Sequence, residues 1–441
     1  MPDTTARRLS GPEIEAEIDG LLRRLFPLMR SLAGPGVRAT HDILAEVAPL
    51  ERIEIPSGTQ VFDWTVPKEW LFREAYVVGP DGRRVIDSRN HNLHVVNYAA
   101  PFRGTVTRAE LERHLHSLPD QPQAIPYVTS YYQPTWGFCL TQAQRDALPE
   151  GDYEVVVDSA LVDGSMTLSE AVLPGRSQRE VLFSSYTCHP SMANDELCAP
   201  IALALLLRAL AARPSRRLTY RFVFLPETIG SIAYLARRGE HLKARLAAGF
   251  TLANIGHAVP FRLKRSRRGN SLADRRATAL LQSERWVERA GAPRVMPFEP
   301  LGSDERQYCS PGFDLPVAAL TRGDPGFAEY HTSLDDLDSV SSAAVAETVE
   351  LLLELCDGLE RSRVYRNTQP FCEPQLGKRG LYPSTGSRND RDERVKAILW
   401  TLNAADGTCD LHDIAERSGL PFAQIAEAAE NCAAAGLLEE V

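Results

Sequence analysis

The stretch that most constrains the fold passes from a buried strand through a polar turn into an apolar helix. Residues 181–185 are typical of a buried strand, and residues 199–211 are apolar enough to form a buried helix. The turn between them carries His189 and, six residues later, Asp195. An imidazole and a carboxylate are a common ligand pair for zinc. The alternative is that Asp195 caps the helix and that His189 is an ordinary buried polar residue.

The same alternation of strand and helix continues to about residue 360. The pattern predicts strands at 181–187, 218–225, 247–255 and 315–320, and helices at 196–212, 231–238 and 340–359. Repeated strand–helix order predicts a largely parallel α/β sheet. The segment ahead of it differs. Residues 9–33 predict one amphipathic helix, and about 46–165 alternate short β-rich runs with Pro and Gly turns, which predicts an inserted β-rich subdomain over the cleft.

Length and charge limit the class of protein. The 441 residues are too many for one core, so two or three domains are expected. A net charge of −9 argues against nucleic acid or an anionic membrane as a partner, and no apolar run is long enough to span a bilayer. The N-terminus lacks the apolar core of a secretory signal, so we expect a cytoplasmic protein. The eight cysteines form no CxxC pair, which argues against a structural zinc ribbon.

Candidate site residues follow three predicted strands, and one more precedes a predicted helix. His189 and Asp195 follow the first strand, Glu227 the second and His257 the third, and His331 precedes the helix at 340. A parallel sheet gathers the carboxyl ends of its strands at one edge. Hydrolytic zinc sites need about three such ligands and a carboxylate that accepts a proton from water. Taken singly, Glu227 is also compatible with a helix cap, and His257 and His331 with ordinary loop histidines.

Longer motifs connect the chain to a known group of proteins. It resembles the zinc aminopeptidase fold of the bacterial leucyl aminopeptidase and glutamate carboxypeptidase type. More closely, it resembles a bacterial group with an aminopeptidase-like domain, an inserted β-rich domain and a C-terminal winged helix. The motifs that carry the resemblance are residues 58–70, 125–132, 188–195, 226–231, 302–312 and 330–333.

The resemblance implies an α/β class with a mainly parallel, zinc-peptidase-like domain, an inserted β-rich subdomain and a small winged-helix domain. We place the aminopeptidase-like domain at 1–45 and 166–370, the insertion at 46–165 and the winged-helix-like domain at 385–441, after a linker at 365–390. The C-terminal unit carries four basic and eleven acidic residues from 390 to 441. Such a surface repels phosphates, so we expect an interaction or homo-oligomerisation module there and no binding to DNA.

The resemblance also implies roles for single residues. His189 matches the first metal ligand, Asp195 the carboxylate that bridges two metals, and His331 the last histidine ligand. Glu227 matches the first member of a Glu-Glu pair, the general base. The chain departs from the pattern where Thr228 replaces the second glutamate and where His257 stands in place of an aspartate ligand. These departures favour one Zn²⁺ per chain over two.

Two further stretches are candidates for substrate contacts. Tyr308 and Arg306 are candidates for stabilising the oxyanion. The basic stretch 262–270, followed by Arg275 and Arg276, is either a solvated loop or an anion site for a carboxylate or phosphate.

The sequence thus predicts a zinc-dependent aminopeptidase or amidohydrolase. It would cleave an amide bond in a small peptide or aminoacyl conjugate, in a biosynthetic pathway, with Glu227 as general base. The alternative is a catalytically degraded peptidase fold that acts as a binding or regulatory module. The missing second glutamate and the presence of His257 favour that alternative. The enzyme is favoured by four retained residues, His189, Asp195, Glu227 and His331.

Overall fold

A computed structural model describes residues 11–324, 326–382 and 388–441, without the side chains of residues 388–392. The chain divides into two compact units, Met1–Leu355 and Cys356–Val441. In the described ranges, no helix is both long enough and apolar enough to cross a membrane.

The helices are α1 (Pro12–Leu25), α2 (Pro35–Val47), α3 (Arg108–Glu112), α4 (Gln142–Asp146), α5 (Cys198–Ala211), α6 (Ile229–Arg245), α7 (Leu272–Leu281), α8 (Glu284–Ala290), α9 (Glu305–Tyr308), α10 (Ser342–Arg361), α11 (Arg388–Ala404), α12 (Leu411–Ser418) and α13 (Phe422–Ala434). A short π-helix, Ala193–Leu197, precedes α5.

The strands are β1 (Glu51–Pro56), β2 (Gln60–Val61), β3 (Trp64–Thr65), β4 (Glu69–Val78), β5 (Arg84–Asp87), β6 (Phe102–Thr107), β7 (Leu115–His116), β8 (Phe138–Cys139), β9 (Asp152–Val162), β10 (Ser165–Leu173), β11 (Glu180–Tyr186), β12 (Thr219–Leu225), β13 (Leu246–Leu252), β14 (Phe261–Lys264), β15 (Arg294–Met296), β16 (Val317–Arg322), β17 (Val364–Asn367), β18 (Asp406–Asp410) and β19 (Leu438–Glu440).

The first unit is built on an eight-stranded sheet in the order β1-β10-β12-β11-β13-β16-β14-β15. Its centre, β12-β11-β13-β16, is parallel, and antiparallel pairs flank it on both sides. The mainly parallel α/β class predicted from the sequence is therefore confirmed. Helix α5 is buried on nearly all sides. This burial explains why its sequence is apolar without a polar stripe.

The N-terminal segment forms two helices where the sequence predicts one over residues 9–33. Helix α1 ends at Leu25, and α2 begins at Pro35. Pro27 lacks the backbone N–H that a continuing helix requires, and Pro35 suits the first turn of a new one. Residues 9 and 10 of the predicted helix lie outside the described ranges.

The β-rich segment contains a sheet of its own, with the antiparallel order β5-β4-β9-β6. A separate apolar cluster lies under it and includes Trp70, Val77, Phe138 and Tyr153. Strand β1 lies within the range that we assign to the insertion, but it pairs with β10 in the main sheet. The register places Ile53 and Ile55 opposite Leu168 and Met166, and their burial draws β1 into the main core.

The second unit combines α11, α12 and α13 with the three-stranded sheet β18-β17-β19. Its first strand, β17, falls in the stretch that we predicted to be a linker, because Tyr365 is buried in the core of this unit. The predicted start of the winged-helix domain at residue 385 lies outside the described ranges. Helix α12 begins with a capping box, in which the Asp410 carboxylate accepts the backbone N–H groups of His412 and Asp413.

A buried ion network ties the central strands of the first unit together. Arg221 on β12 donates to the carboxylates of Glu170 on β10 and Glu180 on β11, with an Nε–Oε2 distance of 2.7 Å to Glu180. All three side chains are nearly inaccessible to solvent. Removal of one partner from such a network leaves buried charge without compensation.

We therefore expect Arg221→Met to lower the free energy of unfolding of the first unit by about 3–5 kcal/mol. Urea unfolding followed by circular dichroism measures this change. The control is Arg23→Met, which breaks the exposed Arg23–Asp19 pair and should leave the stability essentially unchanged. Equal effects of the two substitutions would contradict the role of the network.

Candidate metal centre

The candidate site begins at the carboxyl end of β11, where the chain turns into the π-helix before α5. His189 lies in that turn and is 4% exposed, and Asp195 lies inside the π-helix and is 1% exposed. The backbone of Asp195 departs from helical geometry, with φ −105° and ψ 61°. Single-turn π-helices of this kind often occur at functional sites, since they redirect a side chain.

A fully buried ion pair fixes the backbone on which His189 stands. Arg30 donates from Nε to Glu196 Oε1 at 3.0 Å and to the carbonyl oxygen of His189 at 2.8 Å. Glu196 Oε2 accepts the backbone N–H groups of Cys188 and His189 at 2.5 and 2.9 Å. Burial raises the pKa of the Glu196 carboxyl, and the Arg30 charge opposes that rise.

Asp335 holds the other half of the turn. Its Oδ1 accepts the N–H of Asn194 at 2.6 Å, and its Oδ2 accepts the N–H of Asp195 at 2.8 Å. Its backbone carbonyl accepts the N–H of Ala193. Asp335 is inaccessible to solvent, so three consecutive N–H groups of the π-helix depend on one residue of the His331 loop.

The insertion fixes the loop that carries His331. Tyr127 donates its backbone N–H to the carbonyl of His331 at 2.8 Å, and Ser333 donates its N–H to the carbonyl of Ile125 at 2.9 Å. The His331 ring stacks on Tyr330 with centroids 3.9 Å apart. His331 has φ 56°, an unfavourable value for a residue with a side chain. Such strain persists where the surrounding structure imposes it, and it is concentrated at functional sites.

These elements bring His189, Asp195 and His331 together. One ligand atom from each residue lies within 4.8 Å of the others, and His331 Nε2 lies 3.0 Å from Asp195 Oδ2. Asp195 Oδ1 accepts a hydrogen bond from Tyr186, whereas Oδ2 is buried without a well-formed hydrogen bond. Burial acts to raise the pKa of Asp195, but the two imidazoles outweigh it, so its pKa lies below the usual range.

Glu227 completes the site from the carboxyl end of β12. Its Oε2 lies 3.6 Å from His189 Nε2, and its Oε1 accepts a hydrogen bond from Ser303 at 2.7 Å. The next residue, Thr228, has φ 63° and donates its N–H to the buried carboxylate of Asp304. The Glu227 side chain is 28% exposed, which leaves it accessible to a small molecule beside the histidines.

The structure leaves His257 outside the three-residue cluster. Its Nδ1 lies 3.4 Å from the Asn194 amide nitrogen, and its ring contacts Phe327. Burial lowers the pKa of His257. It follows β13 as predicted, but it is not one of the three residues whose ligand atoms converge, so its role as a metal ligand stays a prediction.

Of the two candidates for stabilising the oxyanion, Tyr308 does not present its hydroxyl group to the site. It is fully buried in the main core, where its hydroxyl donates to Ser184 Oγ at 3.0 Å, so that the hydroxyl is engaged inside the protein. Arg306 is partly exposed and donates to the Thr228 hydroxyl at 3.2 Å, one residue from Glu227. Arg306 therefore remains a candidate.

Sequence reasoning missed the residues that support this centre. Arg30 lies in a segment that we predicted only as an amphipathic helix, and Glu196 and Asp335 stand among several other acidic residues. The only available signal was that Arg30, a charged residue, occupies an otherwise apolar position of the predicted helix. No signal in the sequence pairs it with Glu196, which is 166 residues away.

Comparison with solved structures defines the class of fold. The zinc aminopeptidase of Bacillus subtilis superposes with a TM-score of 0.57 at 12% identity, over 81% of this chain and 96% of that chain. At this identity the likeness establishes the fold alone. The first unit therefore has the fold of zinc aminopeptidases.

The family is established by closer matches. The family described as "Domain of unknown function (DUF4910)" matches residues 20–362, and a winged helix-turn-helix family matches residues 363–440. The chain belongs to the first family and ends in a winged helix. A protein of Clostridium acetobutylicum, named provisionally as a polysaccharide biosynthesis protein with an aminopeptidase-like domain, is 43% identical over 95% of both chains. A crystal structure from the same organism, titled provisionally as a peptidase, has a TM-score of 0.82, 41% identity and 97% coverage of both chains.

We expect Asp335→Ala to destabilise the first unit by about 1–3 kcal/mol, because buried N–H groups of Asn194 and Asp195 lose their acceptor. The measurement is urea unfolding. Asp338→Ala, in the same loop, is the control, since no hydrogen bond to its carboxylate is found in the described ranges. Asp335→Ala with wild-type stability would show that the π-helix does not depend on this carboxylate.

Proposed function

We propose that this chain is a zinc-dependent hydrolase of aminopeptidase type, which cleaves an amide bond in a small peptide or aminoacyl conjugate. The observation that carries the proposal is the convergence of His189, Asp195 and His331 beside Glu227. The wider aminopeptidase-like character rests on the fold and on the relatives.

The donor set fits zinc. Two imidazole nitrogens and one carboxylate oxygen are ligands that catalytic zinc sites use, with one position left for water or substrate. The arrangement of Asp195 supports this assignment, since its buried Oδ2 lies 3.0 Å from His331 Nε2, and both are atom types that bind zinc. In the described ranges this is the only group of three such residues, and His257 lies outside it. We therefore propose one zinc ion per chain.

The division of labour among the residues follows from their positions. Zinc, when bound, supplies Lewis acidity that polarises the substrate carbonyl and acidifies water. Glu227 accepts the proton of the attacking water and returns it to the leaving nitrogen. Ser303 holds Oε1 of Glu227, so that Oε2 faces His189. Tyr186 holds Asp195 in place through Oδ1, and Arg306 is the proposed contact for the developing oxyanion.

The proposed substrate class rests on the shape of the cleft and on the name of the Clostridium relative. The insertion places Tyr127 against both histidines, with ring centroids 5.2 Å from His189 and 5.3 Å from His331. This arrangement favours a small substrate. The name of the Clostridium relative refers to polysaccharide biosynthesis, and we propose a biosynthetic role for this chain also. The leucyl aminopeptidase and glutamate carboxypeptidase likeness remains a prediction.

The metal assignment is tested by elemental mass spectrometry. We expect about one zinc per chain in the purified protein and less than about a tenth of that in His189→Ala, because a lost ligand weakens a three-ligand site severely. His257→Ala is the matched control and should retain its zinc. Absence of zinc in the wild type, even after incubation with the ion, would favour the alternative of a binding or regulatory module.

The general base is tested by Glu227→Gln, which keeps the shape of the side chain and removes its basicity. We expect kcat on a responsive aminoacyl 4-nitroanilide to fall by about 10²–10⁴-fold with zinc content unchanged. The control is Glu240→Gln, an exposed position on α6, which should leave kcat as it is. Undiminished turnover in Glu227→Gln would rule out the proposed mechanism.

A further inference from the structure

A cavity of about 130 Å³, lined by charged, polar and apolar residues, opens beside the candidate metal centre. Glu227, Tyr186 and Tyr330 line one part of it, and Arg262 and Lys264 of β14 line another. The cavity therefore joins the proposed general base to the basic stretch 262–270. From the sequence, that stretch is either a solvated loop or an anion site. A substrate group attached near the scissile amide has direct access to it.

The sheet register explains why this cavity has a basic wall. Arg262 pairs with Thr321 and Lys264 with Ala319 across β14 and β16, and all four residues line the cavity. Residues that face each other across an antiparallel pair share one side of the sheet. The alternate residue Leu263 is buried, as is its partner on β16. Period-two alternation thus directs both cationic residues to the cavity.

The two cations differ in how they are compensated. Lys264 Nζ contacts the Glu305 carboxylate and the carbonyl of Leu301, so its charge is offset within the protein. Within the described ranges, Arg262 has no ion pair and no side-chain hydrogen bond, and its Nε is buried without a partner. Asn254 Oδ1, another lining atom, is also buried without a partner. A buried polar atom without a protein partner calls for a partner from outside the chain, such as a ligand or an ordered water.

The acidic groups of the cavity do not neutralise the positive charge of Arg262. In the described ranges Glu227 forms no ion pair with Arg262, and its carboxylate contacts Ser303 and His189 instead. Burial, together with the charge of Glu227, raises the pKa of Asp304 to about 7, so that near neutral pH much of it is uncharged. Glu305 is already engaged with Lys264.

Size decides what kind of group fits. A cavity of about 150 Å³ accommodates a benzene molecule, so this one holds a side chain of about five non-hydrogen atoms. An arginine without a partner binds a carboxylate through two parallel hydrogen bonds. We propose that this cavity is a recognition subsite for the carboxylate of an acidic aminoacyl group, with Arg262 as the residue that selects it. This inference rests on the proposed function, because the selected group belongs to the amide substrate.

The test compares glutamyl and glutaminyl 4-nitroanilides, which differ in charge and hardly in shape. In the wild type we expect kcat/KM for the glutamyl substrate to exceed that for the glutaminyl substrate by about 10–100-fold. Arg262→Met should abolish this preference by lowering only the glutamyl value, and Arg262→Lys should restore part of it. Arg73→Met, a change at an exposed arginine of the inserted sheet, should leave the preference intact.

Calorimetric binding of glutarate and of its neutral diamide, on the full chain, supplies a readout without turnover. Glutarate should bind the wild type at least 10-fold more tightly than Arg262→Met, and the diamide should not distinguish them. Hydrolysis of both anilides at equal rates, with glutarate binding unaffected by Arg262→Met, would overturn the inference and leave the proposed function standing. Glutarate binding that depends on Arg262, without hydrolysis of any anilide, would support the subsite and overturn the hydrolase.

Discussion

The buried ion pair between Arg30 and Glu196 is the interaction on which the candidate centre depends. It joins the N-terminal segment to the start of α5, and its two side chains together bind the backbone of Cys188 and His189. Burial of two charges costs free energy, which the pair offsets only because nearly every polar atom has a partner. The result is a turn whose backbone is held by hydrogen bonds at Cys188 and His189.

Asp195 and His331 are also positioned by contacts between segments that are far apart in the sequence. Asp335 holds the π-helix by its backbone N–H groups, and it stands four residues after His331. The insertion in turn holds the His331 loop through hydrogen bonds at Tyr127 and Ser333. Three segments that are distant in the sequence therefore meet at one point. The β-rich subdomain acts as a structural support of the centre as well as a wall of the cleft.

The predictions that succeeded rest on local patterns. The strand predicted at 181–187 corresponds to β11, and the strand at 218–225 to β12, because buried parallel strands are continuous apolar runs. The placement of His189 and Glu227 after those strands followed directly. Local patterns were less informative where a residue type fits several environments. Tyr308 lies in a polar motif, yet its ring is buried in the core, and His257 follows a strand without joining the cluster.

The sequence by itself determined the order of the main strands and helices, the mainly parallel sheet and four candidate metal ligands, of which His189, Asp195 and His331 converge in the structure. Periodicity and residue chemistry are local properties, and a parallel sheet collects the ends of its strands by geometry alone. Only the tertiary structure decided which buried charges pair, as with Arg30 and Glu196, and that Arg262 faces the cavity without a partner. These outcomes depend on distances between segments far apart in the chain, and no local pattern encodes those distances.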